Sequence, residues 1–295
     1  MNIVQRLGEG RGFTPTEQQL GQTILALGER LQALSIKELA RVSATSIASI
    51  HRFCKKLGLE GYKELKVELA RETARRRAGD VEVDINFPFA AGERAASVLP
   101  HLRAVYESTL RDTSELIDPD ELDHAAELVV KARTVDIYTQ SHNLYPAQMF
   151  CDRLLSAGRA ATCHADAERQ IRCALAADSG HAAVAISYSG LNQLLPTLLP
   201  LLAERRCPVI FIGTERACRR HPGLSAYLTI GDREHLQARI TQFASHIAVQ
   251  YVLDTLYSCV FARAFDESMA FLERSLPYTR LPGSDEAETS REPSR

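Results

Sequence analysis

The chain has 295 residues, 45% hydrophobic and 24% charged, a composition typical of folded proteins and too apolar for a disordered one. At ~100–200 residues per domain, that length predicts one large domain or two ordinary ones. The formal net charge of −2 conceals an asymmetry: residues 1–78 sum to +6 and the remainder to −8, so a polyanionic partner is sought in the first part alone.

Residues 14–78 read as helices only. From Pro15 to Leu34 the apolar residues Leu20, Ile24, Leu27 and Leu31 fall on one helical face. Ser35-Ile36-Lys37-Glu38 is a capping-box pattern, in which the hydroxyl accepts an orphan N–H and the carboxylate reaches back. It predicts a short helix ending near Val42. Ser43-Ala44-Thr45 makes a tight link, and Ser46 caps a third helix that runs to Leu57 and stops at Gly58. A fourth, charged helix is expected from about Tyr62 to Arg77, its closing Arg75-Arg76-Arg77 suiting the negative end of the helix dipole.

The helix–link–helix at 35–57 is the first functional candidate. A recognition helix in the major groove offers its N-terminal residues to base edges and its cations to phosphate. Ser46, Ala48, Ser49, His51 and Arg52 lie at the cap and in the first turns, and Lys55 and Lys56 follow. Arg52 has the geometry for a bidentate pair with guanine, and Ser49 and His51 can donate or accept at base edges. Ile50, Phe53 and Leu57 belong to the core face. A small helical bundle with a solvated basic face fits the same pattern, so physics alone leaves both readings open.

Residues 79–117 are expected to form a linker and connecting helix: Gly79 to Gly92 carries Pro88, alternating charge and little periodicity. Residues 94–132 give two helical stretches broken at Asp118-Pro119. From residue 134 the pattern switches to short β-rich runs at 134–139, 160–164, 182–188, 207–212 and 226–230, separated by helical stretches near 143–157, 166–177 and 191–205. Such alternation implies right-handed crossovers and a parallel sheet covered on both faces. A long helix from about Glu234 to Phe265 is expected to close a domain spanning 118–280, and 281–295 reads as a disordered tail.

Two loops in this second domain carry the other functional candidates. Ser187, Tyr188, Ser189 and Gly190 end the most apolar run and open a helix, where hydroxyls, backbone N–H groups and a helix N-terminus can converge on a phosphate. Open parallel sheets bind ligands at the carboxyl ends of their strands, which is where this loop falls. The first run ends in Thr139-Gln140-Ser141-His142-Asn143, with Asn143 expected as the next helix's N-cap. A plain β–α turn is the alternative for either loop.

Other chemistries find little support. Nine histidines show no H-x-x-x-H with a carboxylate on the same face, so no metal site is expected, although His142 and His164 follow strand ends and suit a pocket. Seven scattered cysteines form no C-x-x-C pair, which fits free thiols in a reducing compartment. The longest apolar stretch, Leu194 to Ala203, is broken by Pro196 and Pro200 and falls far short of the ~20 residues a bilayer-spanning helix needs. The first residues lack the apolar core of a secretory signal. A cytoplasmic protein without cofactor is expected.

Leu39-Ala40, Ser46, Arg52-Phe53-Cys54-Lys55-Lys56-Leu57-Gly58 and Gly61-Tyr62-Lys63-Glu64-Leu65-Lys66 together resemble the helix-turn-helix domain of the RpiR family of bacterial regulators. Ala44 stands where that family usually has Gly, a replacement that suits negative φ. The two loops and the strand–helix alternation resemble the sugar isomerase (SIS) domain that follows this helix-turn-helix in the family. The S-x-S-G element is intact. The family's first loop reads G-x-G-x-S; here Thr139, Ser141 and Asn143 stand at the matching positions. Asp166 matches a position that is often acidic, and Arg239-Ile240 is similar to the family's S-R-I segment, with Ala238 for Ser.

The resemblance implies an all-α helix-turn-helix domain over 1–78, then an α/β SIS-type domain, an αβα sandwich around a five-stranded parallel sheet. It implies a homodimeric or larger transcriptional regulator that binds a pseudo-palindromic operator and senses a phosphorylated sugar through Thr139, Ser141, Asn143, Ser187, Ser189 and Gly190. No catalytic residue and no membrane contact is expected. The rival is an aldose–ketose phosphosugar isomerase with an accessory helical domain. That chemistry needs a positioned base, yet Leu191 and Asn192 follow the S-x-S-G element, and His142, Asp166 and His235 are unmarked by spacing.

Overall fold

A computed structural model describes Ile3, Leu7, residues 13–77 and residues 83–279. The tail expected at 281–295, the start of the linker at 79–82 and the side chains of Arg75-Arg76-Arg77 lie outside the described part. The chain divides into two compact units. One holds residues up to Val83 together with Arg94–Ala104; the other holds Asp84–Glu93 and the chain from Val105 onward.

In the N-terminal unit, Thr14 and Glu17 cap α1 (Pro15–Leu27) reciprocally. The single helix expected to reach Leu34 stops at Leu27, because Gly28 takes φ +49° and turns the chain into a 3₁₀ segment, Gly28–Ala33. The capping box at Ser35 is formed in both directions, with Ser35 N–H donating to Glu38 Oε2 at 2.7 Å and Glu38 N–H to Ser35 Oγ at 3.3 Å. It starts α2 (Ile36–Val42). Ser46 caps α3 (Ile47–Lys56), and α4 (Tyr62–Arg77) follows. Leu20, Ile24, Leu39, Ile50, Phe53 and Leu65 are buried together as the core of this unit.

Helices α2 and α3 end in the same motif. The Thr45 N–H donates to the Ala40 carbonyl at 2.9 Å and the Ala44 N–H to Arg41 at 3.4 Å; Leu59 and Gly58 repeat the pattern on Cys54 and Lys55, both at 2.9 Å. This Schellman closure needs a left-handed residue. Gly58 supplies it at φ +80°, whereas after α2 it falls to Ala44 at φ +51°. The negative φ that would suit alanine is therefore not what the turn adopts, and its Cβ strains the link between the two helices.

In the C-terminal unit, five parallel strands lie in the order β2-β1-β3-β4-β5: β1 (Thr134–Tyr138), β2 (Ala160–Cys163), β3 (His181–Ile186), β4 (Val209–Thr214) and β5 (Ala226–Ile230). Helix α5 (Ala95–Leu116) leads in, and Asp118 caps α6 (Pro119–Lys131). One face of the sheet is covered by α6, α7 (Leu144–Ser156) and α11 (Ala244–Arg263), through Leu122, Phe150, Val252 and Leu256 against Val135 and Ile137. The other is covered by α8 (Ala167–Ala176), α9 (Leu195–Glu204) and the short α10 (Glu215–Arg220), where Ala174, Leu198 and Leu202 meet Tyr138 and Phe211. A last helix, α12 (Phe265–Thr279), follows α11. This is the αβα sandwich the strand–helix alternation implied.

One expectation fails here. The closing helix begins at Ala244, not near Glu234, and residues 231–243 are irregular. Backbone N–H groups that a helix would use internally are bonded to the supposed linker: His235 N–H donates to Asn86 Oδ1 at 2.7 Å and Ile240 N–H to the Asn86 carbonyl at 2.9 Å. The linker in turn is not free from residue 84 onward, since Ile85, Asn86 and Pro88 are buried against the C-terminal unit.

Candidate functional site

In a sheet of this order the connections leaving β1 and β3 run to opposite faces, and the crevice opens between the carboxyl ends of those two strands. A cavity of about 230 Å³ lies there. The loop after β1 lines it with Ser141, His142 and Asn143, and the loop after β3 with Ser187, Ser189 and Asn192. The irregular segment and the start of α11 complete the wall with Leu236, Arg239 and Ser245.

The polar atoms in this wall are incompletely satisfied. His142 Nε2, Asn143 Oδ1 and Ser245 Oγ are buried without a hydrogen-bond partner, which for buried polar groups asks for one from outside. Burial, reinforced by the nearby Arg239 cation, holds the His142 imidazole below its ordinary pKa, so it is neutral near pH 7 and offers one donor and one acceptor. Arg239 is the cation of the site. Its side chain is only 10% exposed and pairs with Glu234 Oε2 at 2.8 Å. The Glu234 carboxylate also accepts the N–H groups of Ala244 at 3.0 Å and Ser245 at 3.2 Å, capping α11 from ten residues upstream. Tyr188 ties the S-x-S-G loop to the same point by donating its hydroxyl to the Glu234 carbonyl at 2.9 Å, and burial pushes that phenol's pKa up.

The sequence-derived ligand set is therefore partly gathered and partly not. Ser141, Asn143, Ser187 and Ser189 line the cavity; Thr139 and Gly190 are not among its lining residues. Thr139 is fully buried with its hydroxyl on the Ile186 carbonyl at 3.1 Å. Gly190, at φ +69°, is packed where a Cβ would lie 3.1 Å from Ala217, so it shapes the loop from behind. Asn143 does not cap α7: its φ,ψ are helical and its side chain makes no cap bond. Nor does the helix after the S-x-S-G loop begin at once, since α9 starts at Leu195. The N–H groups of Ser187, Gly190 and Leu191 are bonded to Ile212, Ser187 and Ser189 Oγ, so the loop faces the cavity with hydroxyls more than with amides. Asp166 caps α8, and the His164 carbonyl accepts from Gln170; neither residue lines the cavity. Arg239 is in the cavity wall, although it sits on a loop and not a helix. Sequence reasoning missed Ser245 and Glu234 because each matters through a residue distant in the chain.

In the N-terminal unit, Ala48, Arg52 and Lys55 fall at i, i+4, i+7 on an exposed stripe of α3. Ser46 Oγ accepts the Ser49 N–H at 3.1 Å and lies 2.9 Å from Ser49 Oγ; Arg52 donates to Ser49 Oγ at 3.4 Å. His51 leaves this stripe and borders a groove with Ile36, Gly61 and Tyr62. Lys56 pairs with Glu17 at 2.7 Å and holds that carboxyl below its ordinary pKa.

Among the described residues no group of His, Cys, Asp and Glu is arranged to hold a metal, and no helix is long and apolar enough to cross a membrane. The seven cysteines are unbridged, and burial pushes Cys54 to about 11 and Cys163 and Cys207 to about 12.

A helix-turn-helix unit precedes an αβα domain with a polar crevice at its switch point, and that second domain shares its fold with the sugar isomerase domain of a transcription factor. Residues 1–76 match the family model of the helix-turn-helix domain, rpiR family. An uncharacterized HTH-type transcriptional regulator of Caldanaerobacter subterraneus is 25% identical over 89% of this chain and 91% of its own length. YbbH of Bacillus subtilis, also an uncharacterized HTH-type transcriptional regulator, is 24% identical over 88% of this chain and 90% of its own. The fold is shared with the NanR protein of Vibrio vulnificus, solved in complex with ManNAc-6P, at a TM-score of 0.56 and 19% identity, covering 95% of this chain and 98% of that one. The sugar isomerase domain of an RpiR transcription factor from Sphaerobacter thermophilus aligns at a TM-score of 0.52 and 16% identity, covering 59% of this chain and 94% of that one.

Proposed function

We propose that this chain is a cytoplasmic regulator that binds operator DNA through α3 and senses a phosphorylated sugar in the crevice between β1 and β3. The observation that carries the ligand reading is the pocket wall: serine hydroxyls from two loops and one cationic side chain, Arg239, surround buried polar atoms that lack partners. Hydroxyls and a guanidinium suit phosphate, and His142 and Asn143 suit the hydroxyls of a sugar. The cavity is smaller than the ~300–1,000 Å³ of drug-sized pockets, which favours a small metabolite. The ManNAc-6P bound by NanR supports including that compound among the candidates. On DNA, Arg52 reads a base edge, with Ala48, Ser49 and Lys55 beside it. A homodimer would set two such helices on a pseudo-palindromic site with half-sites ~34–36 Å or a multiple apart.

The isomerase reading is weaker. Among the described residues no Asp or Glu lines the cavity, and the buried Glu234 carboxylate is spent on Arg239 and the start of α11. His142 alone is left as a base. The test is calorimetry with glucose 6-phosphate, fructose 6-phosphate and N-acetylmannosamine 6-phosphate on wild type and on a Ser187→Ala, Ser189→Ala double variant. Losing two hydrogen bonds to an anionic acceptor should weaken binding at least about tenfold. Equal affinity in both proteins, or equal affinity for the dephosphorylated sugar, would reject the phosphate cradle. Aldose–ketose turnover of the same compounds would reinstate the enzyme.

A further inference from the structure

We propose that Asn86, in the segment that reads as a spacer, couples occupancy of the pocket to the DNA-binding unit by positioning the backbone that carries Arg239. The inference rests on the pocket reading above and adds to it a residue outside the pocket. Asn86 is 7% exposed. Its Oδ1 accepts the His235 N–H at 2.7 Å, its carbonyl accepts the Ile240 N–H at 2.9 Å, and its Nδ2 reaches the Arg233 carbonyl at 3.5 Å. These bonds bracket Arg239, the neighbour of Ile240. A few residues along, Phe89 meets Phe243 edge-on with ring centroids 6.2 Å apart.

The segment 231–243 thus has two attachments. Toward the pocket it is held by Glu234, which binds Arg239 and the first N–H groups of α11. Away from the pocket it is held by residues 84–93 and by Asp112 of α5, which pairs with Arg233 at 2.6 Å. The chain on either side of residues 84–93 belongs to the N-terminal unit, as do the first turns of α5. A phosphate that draws Arg239 into the crevice moves the Ile240 N–H with it, and its acceptor is the Asn86 main-chain carbonyl, which the Asn86 side chain fixes in place through His235 and Arg233. Ligand control of DNA binding requires a ligand to favour one arrangement over another. The Asn86 bonds make the position of Arg239 and the position of the connecting chain a single variable. Without them, Glu234 still holds the guanidinium, but its displacement is no longer transmitted.

The experiment uses the full chain with Asn86→Ala and Asn86→Asp, the latter keeping an acceptor for the His235 N–H. Affinity for each of the three hexose phosphates is measured by calorimetry, and operator affinity is titrated with and without the tightest of them. Couplings of this kind are about 5–150-fold; Asn86→Ala should keep sugar-phosphate affinity within about threefold while the ratio of operator affinities collapses toward one. Asn86→Asp should retain most of that ratio. An unchanged ratio in Asn86→Ala overturns the proposal, and so does a parallel loss of sugar-phosphate affinity and ratio, which would make Asn86 merely structural. If none of the three compounds binds wild type, the sugar-phosphate reading falls separately. Hydrogen exchange without ligand then decides the anchor: faster exchange of the His235 amide, whose acceptor is the Asn86 side chain, in Asn86→Ala supports it, and unchanged protection refutes it.

Discussion

The N-terminal unit and the pocket of the C-terminal unit are assembled on opposite principles. In the first, three helix starts are each set by a residue within three positions: Thr14 with Glu17, Ser35 with Glu38, Ser46 with Ser49. In the second, the helix that completes the pocket is capped by Glu234 from ten residues away, and the segment before it is shaped by Asn86, 149 residues upstream of His235. Local caps act independently of one another, so one can be lost with limited damage. The pocket cap is one buried carboxylate serving a cation and two amides at once, so its loss propagates.

The largest effect that tests this contrast comes from Glu234→Ala. Removing one partner of a buried ion pair leaves a buried charge uncompensated, so unfolding free energy should fall by about 3–5 kcal/mol and sugar-phosphate binding should be lost. The corresponding local cut, Ser35→Ala, should cost about 0.5–2 kcal/mol. Denaturant titration of both variants reads the difference; equal losses would erase the distinction between the two modes of assembly.

A second test stays on α3 and separates base reading from phosphate contact. Arg52→Ala should weaken specific operator binding by about 1–3 kcal/mol and relax preference at one base pair. Lys55→Ala should weaken binding to all sequences and lower the salt slope by about one. Lys56→Ala should change that slope less, because its ammonium is already paired with Glu17. Salt-dependent titrations of the three variants check this, and a Lys56 effect equal to that of Lys55 would show that the ion pair opens on DNA.

The smallest effect is a gain. Ala44→Gly should stabilise the N-terminal unit by about 1 kcal/mol, since glycine adopts the left-handed turn without the Cβ penalty and gives back part of that as unfolded-state entropy. Gly58→Ala, at the matching position after α3, should destabilise by a similar amount. Thermal melts of the pair check the sign, and a destabilised Ala44→Gly protein would mean the turn is not under strain.

How much of this was legible follows from the range of each interaction. The caps of α2 and α3, the core positions Ile50 and Phe53 and the five strands were readable because each depends on neighbours within one or two turns, or on an unbroken apolar run. The premature start given to α11 arose from reading residues 234–243 by composition, when Asn86 claims the N–H groups of His235 and Ile240. Ala44 was read as innocuous because sequence does not reveal the sign of φ in a turn.

By itself, then, the amino-acid sequence determined the two classes of secondary structure, the order of the units and the loops where hydroxyls gather, since periodicity and capping are short-range physics. Only the tertiary structure decided which of those hydroxyls meet. It set β1 beside β3, withdrew Thr139 behind the wall and brought Arg239 and Ser245 to face Ser187 and Ser189. The reason is that a crevice at a switch point is defined by the divergence of chain connections. No segment carries that information until the sheet has formed.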